Sequence, residues 1–396
     1  MFEKIYLHTG LPKTGTSFLQ NALDALSRRN ALSHTSYPVL NDNEDLIRIQ
    51  SGNGEAIAFQ LLSKHVPDFS TEAVLRLIQQ LFDAADASKP HLLISSEHFS
   101  NAEPDRLAYV IELLKVRALS VEIISFVRPV DQLCQSRYHQ QVKRHSKSAG
   151  YDEGYFESFC SFLIRQVAVI GTATDAVHTF DYARIGLLGQ LLRFLGEDTT
   201  LEDAFNNQLV NRSLTAPEME MLRTINAVFK SDELSTRISD RWIYANPGAI
   251  SCEERADRDR VYEVLRKVAA AHAAQLVTPA CQEMLNGLLR EDSDQMAGGG
   301  WSPEERGKSP EFPANERARL LHMALEEIAA LTSSGQALAN YAKNLTPTRD
   351  TFDPIHYLLL NRDVLAAAID PVLHFKTFGR KEGRYSALSS VSALFD

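Results

Sequence analysis

Apolar residues in the first 200 positions fall into two alternating kinds of block. Short dense runs occur at EKIYLH (3–8), HLLISSEHF (91–99), VEIISFVRP (121–129) and VHTFDYARI (177–185), rich in Ile, Leu, Val and Phe. Their length and composition predict buried strands. Between them the apolar positions recur at helical spacing. Phe18, Leu19, Ala22, Leu23 and Leu26 share one face of a helix over Ser17–Leu26, similar patterns cover 71–87 and 104–118, and Leu187–Leu195 is a helix that Gly196 stops. Strands that alternate with helices predict an α/β fold with a mostly parallel central sheet and helices on both faces.

The second half reads differently. Residues 214–290 are mainly helical with polar interruptions, which suggests an insertion or cap. MAGGGWSPEERGKSPEFP (296–313) concentrates Gly, Pro, Ser and charge and reads as a linker. A long helix is expected over about 314–345, followed by a small helical module at 350–386. In that module Asp353-Pro354 and Asp370-Pro371 are N-cap and first-turn pairs, and Gly379 is a candidate helix stop. The domain expected from this pattern spans 1–295.

The chain has 396 residues, 41 basic and 51 acidic, for a net charge of −10. That balance argues against a general nucleic-acid surface and requires any anionic ligand to be held by a local cluster. Cys134, Cys160, Cys252 and Cys281 lie far apart, without a C-x-x-C pair, and the histidines show no ligand spacing, so no disulfide framework or metal is expected. With no basic-then-apolar leader and no membrane-length apolar run, a cytoplasmic location is expected, without a membrane span and with peripheral membrane contact left open.

Chemistry concentrates in LHTGLPKTGTSFLQNAL (7–23). A strand that enters a glycine-containing loop and then a helix gathers unpaired backbone N–H groups and the positive end of the helix dipole at one place. Lys13 adds a charge there, Gly15 lets a ligand approach the backbone, and Thr14, Thr16 and Ser17 bring hydroxyls. The order differs from the nucleotide loop G-x-x-x-x-G-K-[ST], because Lys13 precedes Gly15 by two positions. A second cluster, FVRPVDQLCQSRYHQ, puts Arg128 at a strand end and Ser136 on the following helix, a pairing suited to a dianionic phosphate.

HTGLPKTGTSFLQ together with Arg128, Pro129 and Ser136 resembles sulfotransferases that use 3′-phosphoadenosine 5′-phosphosulfate (PAPS), most of all bacterial members acting on carbohydrates. The resemblance covers about residues 3–215. It implies a P-loop-type three-layer fold and PAPS as co-substrate, without a metal. Lys13, Thr14, Gly15, Thr16 and Ser17 would hold the 5′-phosphosulfate, with Lys13 acting on the leaving group, and Arg128 and Ser136 would hold the 3′-phosphate. The family also needs a Glu or His base near a central strand end, where LLISSEHFS offers Glu97 and His98. On an extended chain these two point opposite ways, so only one is expected to face the site. Asp42, Glu44 and Asp45 are alternatives, as some branches carry the Glu sooner after the lysine.

Lys143, Arg144 and Lys147 read as a solvated basic helix face, and Asn211, Arg212 and Ser213 as weak cofactor contacts. The tail, FDP…YL…N.DV…DP…HF…G…EGR, resembles a short module on bacterial cell-surface polysaccharide proteins. It implies a carbohydrate acceptor on a polysaccharide or glycolipid, and leaves open partner binding or self-association by the module. Two further readings stand beside the sulfotransferase. One is a Mg²⁺-dependent P-loop kinase or ATPase, and the other is a non-catalytic assembly protein.

Overall fold

In a computed structural model, the structure describes residues 1–40, 52–64, 66–174, 176–182, 186–205, 214–245 and 258–290, with short separate pieces between 319 and 388. Five strands form one parallel sheet: β1 (Phe2–His8), β2 (Thr35–Ser36), β3 (His91–Ser95), β4 (Ala118–Val127) and β5 (Val177–Asp181), in the order β2-β3-β1-β4-β5. Every expected strand is present, with ends that differ by a few residues from the runs read in the sequence.

The side chains of each strand alternate between two apolar layers. On one face Tyr6, Leu93, Ile124 and Phe126 pack with Leu19, Leu23 and Leu26 of α1 (Thr16–Arg28) and with the leucines of α7 (Leu187–Leu195). On the other, Ile5, Leu7, Ile94 and Ile123 pack under α2 (Glu55–Gln60), α3 (Thr71–Asp83), α4 (Pro104–Lys115), α6 (Glu153–Ala173), α10 (Arg258–Ala271) and α11 (Pro279–Leu288). The fold is therefore three-layered, as expected.

Connection order fixes where a ligand fits. The chain leaves β1 through α1 on the first face and moves toward β2, whereas it leaves β4 through α6 on the opposite face and moves toward β5. Adjacent strands whose connections depart on opposite faces open a crevice at their carboxyl ends. In this sheet those strands are β1 and β4, and their ends carry the Lys13 loop and Arg128.

Two compact units divide the chain. The sheet unit takes 1–134, 151–210 and 255–293, and the second takes 135–150, 211–254 and 294–396. The expected 214–290 helical run is thus divided. Helices α10 and α11 lie against α6, whereas α8 (Ala216–Phe229) and α9 (Asp232–Ala245) belong to the second unit. A capping box at Thr215 and Glu218 starts α8. The amide of Asn226 donates to Val142 O and Lys147 O, and its carbonyl accepts from Ser235 Oγ at 2.6 Å, which joins α8, α9 and the segment before them.

Helix α5 (Val130–Arg144) begins in the sheet unit. Within the second unit its basic end is not the solvated face expected: Lys143 is buried and Arg144 pairs with Asp240 at 2.6 Å. In the tail, Phe375 stacks on Phe352 and meets Tyr357 edge-on. A short helix (Pro371–His374) continues into a wider π turn (Phe375–Gly379). Gly379 is small because a Cβ there would overlap the Tyr357 hydroxyl; the glycine at positive φ is Gly383 (+65°). The helical turn ends at Gly379, as expected, although Gly379 does not take a positive φ. The linker at 296–313, and most of 314–345, lie outside the described residues. Among the described residues no helix is long and apolar enough to cross a membrane.

Candidate anion-binding site

After β1 the backbone turns through three positive-φ residues, Gly10 (52°), Lys13 (67°) and Gly15 (80°). A lysine in this region costs on the order of 1 kcal/mol, a strain that persists where the surrounding structure imposes it. Thr14 Oγ1 donates to Leu11 O at 2.6 Å and closes the loop on itself. Thr14 therefore supports the loop through its side chain. Left-handed and right-handed residues in succession turn N–H groups toward one concavity, the geometry of an anion nest.

Helix α1 then starts at Gly15 with no side-chain cap and no acid in its first turn. A helix with neither leaves its N-terminal N–H groups and its dipole to an external anion. Thr16 is buried, and its hydroxyl has no hydrogen-bond partner among the described residues. That oxygen lies 2.5 Å from where a Gly10 Cβ would sit, so the cradle is closed to any side chain at position 10. Ser17 is half-buried in the same turn.

Three strand ends hold this loop in relation to Arg128. Thr9 N donates to Ile124 O of β4 at 3.0 Å, and Tyr182 N, just past β5, donates to Val127 O at 2.7 Å. The Arg128 guanidinium lies 4.8 Å above the Tyr182 ring, and its Nε donates to Gln132 Oε1 at 2.9 Å. The same ring abuts Gly15, where a Cβ would stand 3.2 Å from Tyr182 Cε2 and would overlap Leu187. Tyr182 thus touches both the loop and the arginine. Sequence reasoning assigned it only to a strand. The available signal was its place immediately beyond β5, at the same rim as the two recognised motifs. Ser136 lies eight positions beyond Arg128, two turns along α5.

Behind the loop sits a buried polar hub. His8 Nδ1 meets Ser95 Oγ at 2.9 Å, and Gln20 Nε2 of α1 donates to the same oxygen at 3.1 Å. Ser95 N donates to Asn53 Oδ1, and Ser95 O accepts from Gly54 N. Every polar atom of the last β3 residue is engaged. His8 is fully buried, and desolvation lowers its pKa to about 4, which keeps the imidazole neutral. Sequence reasoning missed His8, Gln20 and Asn53, because a buried network leaves no spacing pattern.

Glu97 and His98 do not continue β3. The strand ends at Ser95, Ser96 Oγ accepts from His98 N, and Glu97–Asn101 forms a 3-10 turn. The alternation expected of an extended chain therefore does not separate them; contacts do. The His98 ring packs on Phe59 with centroids 4.9 Å apart, whereas the half-buried Glu97 carboxylate has no hydrogen bond or ion pair among the described residues. Ser96 N donates to His8 O at 3.0 Å, which holds this turn at the rim where the loop begins. Asp42, Glu44, Asp45, Asn211, Arg212 and Ser213 lie outside the described residues.

No protein-family model matches the chain, and no curated protein matches it. A solved structure to which it is similar is a sulfotransferase domain from the curacin biosynthetic pathway. The identity is 14% and the TM-score 0.29, over 69% of this chain and 97% of that one. A likeness at this level carries no argument, so the α/β assignment rests on the chain's own parallel sheet and its two helical layers.

Proposed function

We propose that the chain is a PAPS-dependent sulfotransferase. The observation that carries the reading is the Lys13 loop: a strained lysine and an uncapped helix start at the crevice between β1 and β4, with Arg128 held beside it through Tyr182. A nest with one unpaired buried hydroxyl, at Thr16, fits an oxyanion. PAPS would supply an activated sulfuryl group on a phosphate leaving group. The N–H groups at the start of α1 would bind its 5′ end, and Lys13 would neutralise charge growing on the leaving oxygen. Arg128 and Ser136 would bind the 3′-phosphate, a task for a charge-assisted pair.

Glu97 would take the acceptor proton, since it is the group of the Glu97–His98 pair with no competing contact. The acceptor we propose is a carbohydrate hydroxyl of a cell-surface polysaccharide or glycolipid, on the strength of the tail resemblance. The test is transfer of labelled sulfate from PAPS to a panel of carbohydrates in the presence of EDTA. Glu97→Gln should abolish transfer and leave nucleotide binding intact, while His98→Gln should retain most of the transfer. Label moving instead from the γ-phosphate of ATP, and only with Mg²⁺, would replace this reading with a kinase.

A further inference from the structure

The C-terminal module carries a surface that the chemistry at the Lys13 loop does not use. Ile369, Leu373, Phe378 and Tyr385 are 41%, 63%, 54% and 43% exposed, four large apolar side chains within seventeen residues of sequence. Exposed apolar side chains gathered in one short module are the material of which interaction surfaces are made. The helix and π turn define its geometry. Phe375 points inward onto Phe352 and Tyr357, whereas Leu373, Lys376, Thr377 and Phe378 flank the opposite side and are all exposed. The Phe378 ring, within the π turn, lies against the His374 ring with centroids 5.5 Å apart.

Charge distinguishes among occupants. Lys376, Arg380 and Lys381 are exposed and have no ion pair among the described residues. Among the described residues of the module the two carboxylates already have a partner: Arg384 pairs with Asp363 through both carboxylate oxygens and with Glu382 at 2.6 Å. Counted with Arg384, the described residues of the module carry four cations against two carboxylates, a local positive excess on a chain whose net charge is −10. Exposed apolar side chains interleaved with lysine and arginine match the boundary of an anionic bilayer, where rings and aliphatic chains enter the headgroup layer and cations meet lipid phosphates.

We infer that the exposed side chains of Ile369, Leu373, Lys376, Phe378, Arg380, Lys381 and Tyr385 dock the protein onto anionic lipid membrane. The inference is independent of the reaction at the Lys13 loop. It leads to co-sedimentation of the full-length protein with vesicles of phosphatidylcholine alone, and of phosphatidylcholine mixed with phosphatidylglycerol. Binding is expected only to the mixed vesicles and should fall as salt rises. The triple variant Lys376→Ser, Arg380→Ser, Lys381→Ser should weaken it about a hundredfold, roughly fivefold per cation. The double variant Leu373→Ser, Phe378→Ser should reduce it at every salt concentration.

Circular dichroism of each variant serves as the folding control; because the changed side chains are exposed, the wild-type spectrum is expected. Equal binding to neutral vesicles, no binding to either kind, or binding unaffected by both variants would overturn the inference. So would a change from dimer to monomer in the Leu373→Ser, Phe378→Ser variant in sedimentation without lipid, since a second copy would then be what covers the patch.

Discussion

Gly15→Ala tests whether the loop and the arginine are mechanically joined through Tyr182. The backbone at Gly15 has φ 80°, and an added Cβ would overlap Leu187 Cδ2 and press on Tyr182 Cε2 at 3.2 Å. Two costs are expected. Holding alanine in the left-handed region costs about 1–2 kcal/mol, and forcing a methyl into a packed wall costs about 1–3 kcal/mol more. Gly186→Ala is the matched control, since Gly186 has nearly the same φ, 83°, and nothing within 4 Å of an added Cβ. It should show the backbone cost alone. Urea unfolding with unchanged slope would measure both. The expected difference between the variants is about 1–3 kcal/mol, accompanied in Gly15→Ala by weaker nucleotide binding as Tyr182 moves under Arg128. Equal destabilisation by the two substitutions, with nucleotide affinity kept in both, would refute the proposed contact.

Three further outcomes follow from the same structure. The buried Glu197 carboxylate accepts N–H bonds from Ser33, His34 and Thr35 at 2.6, 2.9 and 2.7 Å, so Glu197→Ala strands three donors and should cost about 3–5 kcal/mol in urea unfolding. His8 has a folded pKa of about 4 against an ordinary 6.5, so the unfolded chain takes up its proton first as pH falls. Its contribution is complete above pH 6.5 and declines toward pH 4 by on the order of 3 kcal/mol. His8→Asn should flatten that part of the stability profile, and a profile identical to wild type would contradict a neutral buried imidazole. Tyr182→Leu should weaken binding of 3′-phosphorylated nucleotide in calorimetry more than that of a nucleotide lacking the 3′-phosphate, since the ring it removes lies under Arg128.

Local signals made much of the site legible in advance. Glycine, lysine and hydroxyls between a strand and an apolar helix mark a candidate anion loop without any tertiary information. Arg128 was visible because a buried strand ends directly before it. The end of α7 was readable because Gly196 takes the left-handed conformation at its C-cap. Helix α6 lacked such a signal. Its apolar residues occupy several sides, as suits a helix covered by α4, α10 and α11, and so form no single stripe.

The turn at Glu97 depends on Ser96 capping the next N–H, a choice that a run of small polar residues does not specify. Tyr182 and the His8–Ser95–Gln20 hub arise from contacts between residues far apart in sequence. Ser95 and His8 are 87 positions apart and meet only once β1 and β3 pair. The division of 214–290 between two units likewise depends on which apolar faces meet, and helical periodicity alone cannot decide that.

The central claim is that the Lys13 loop and Arg128 together read a nucleotide carrying both a 5′ and a 3′ phosphate. Calorimetric titration with 3′-phosphoadenosine 5′-phosphate in EDTA tests it most directly, with ATP·Mg²⁺ as the comparison and Lys13→Ala and Arg128→Ala as variants. Metal-independent binding that weakens in each variant is the predicted result. Binding of ATP·Mg²⁺ with no response to the 3′-phosphorylated nucleotide would contradict it.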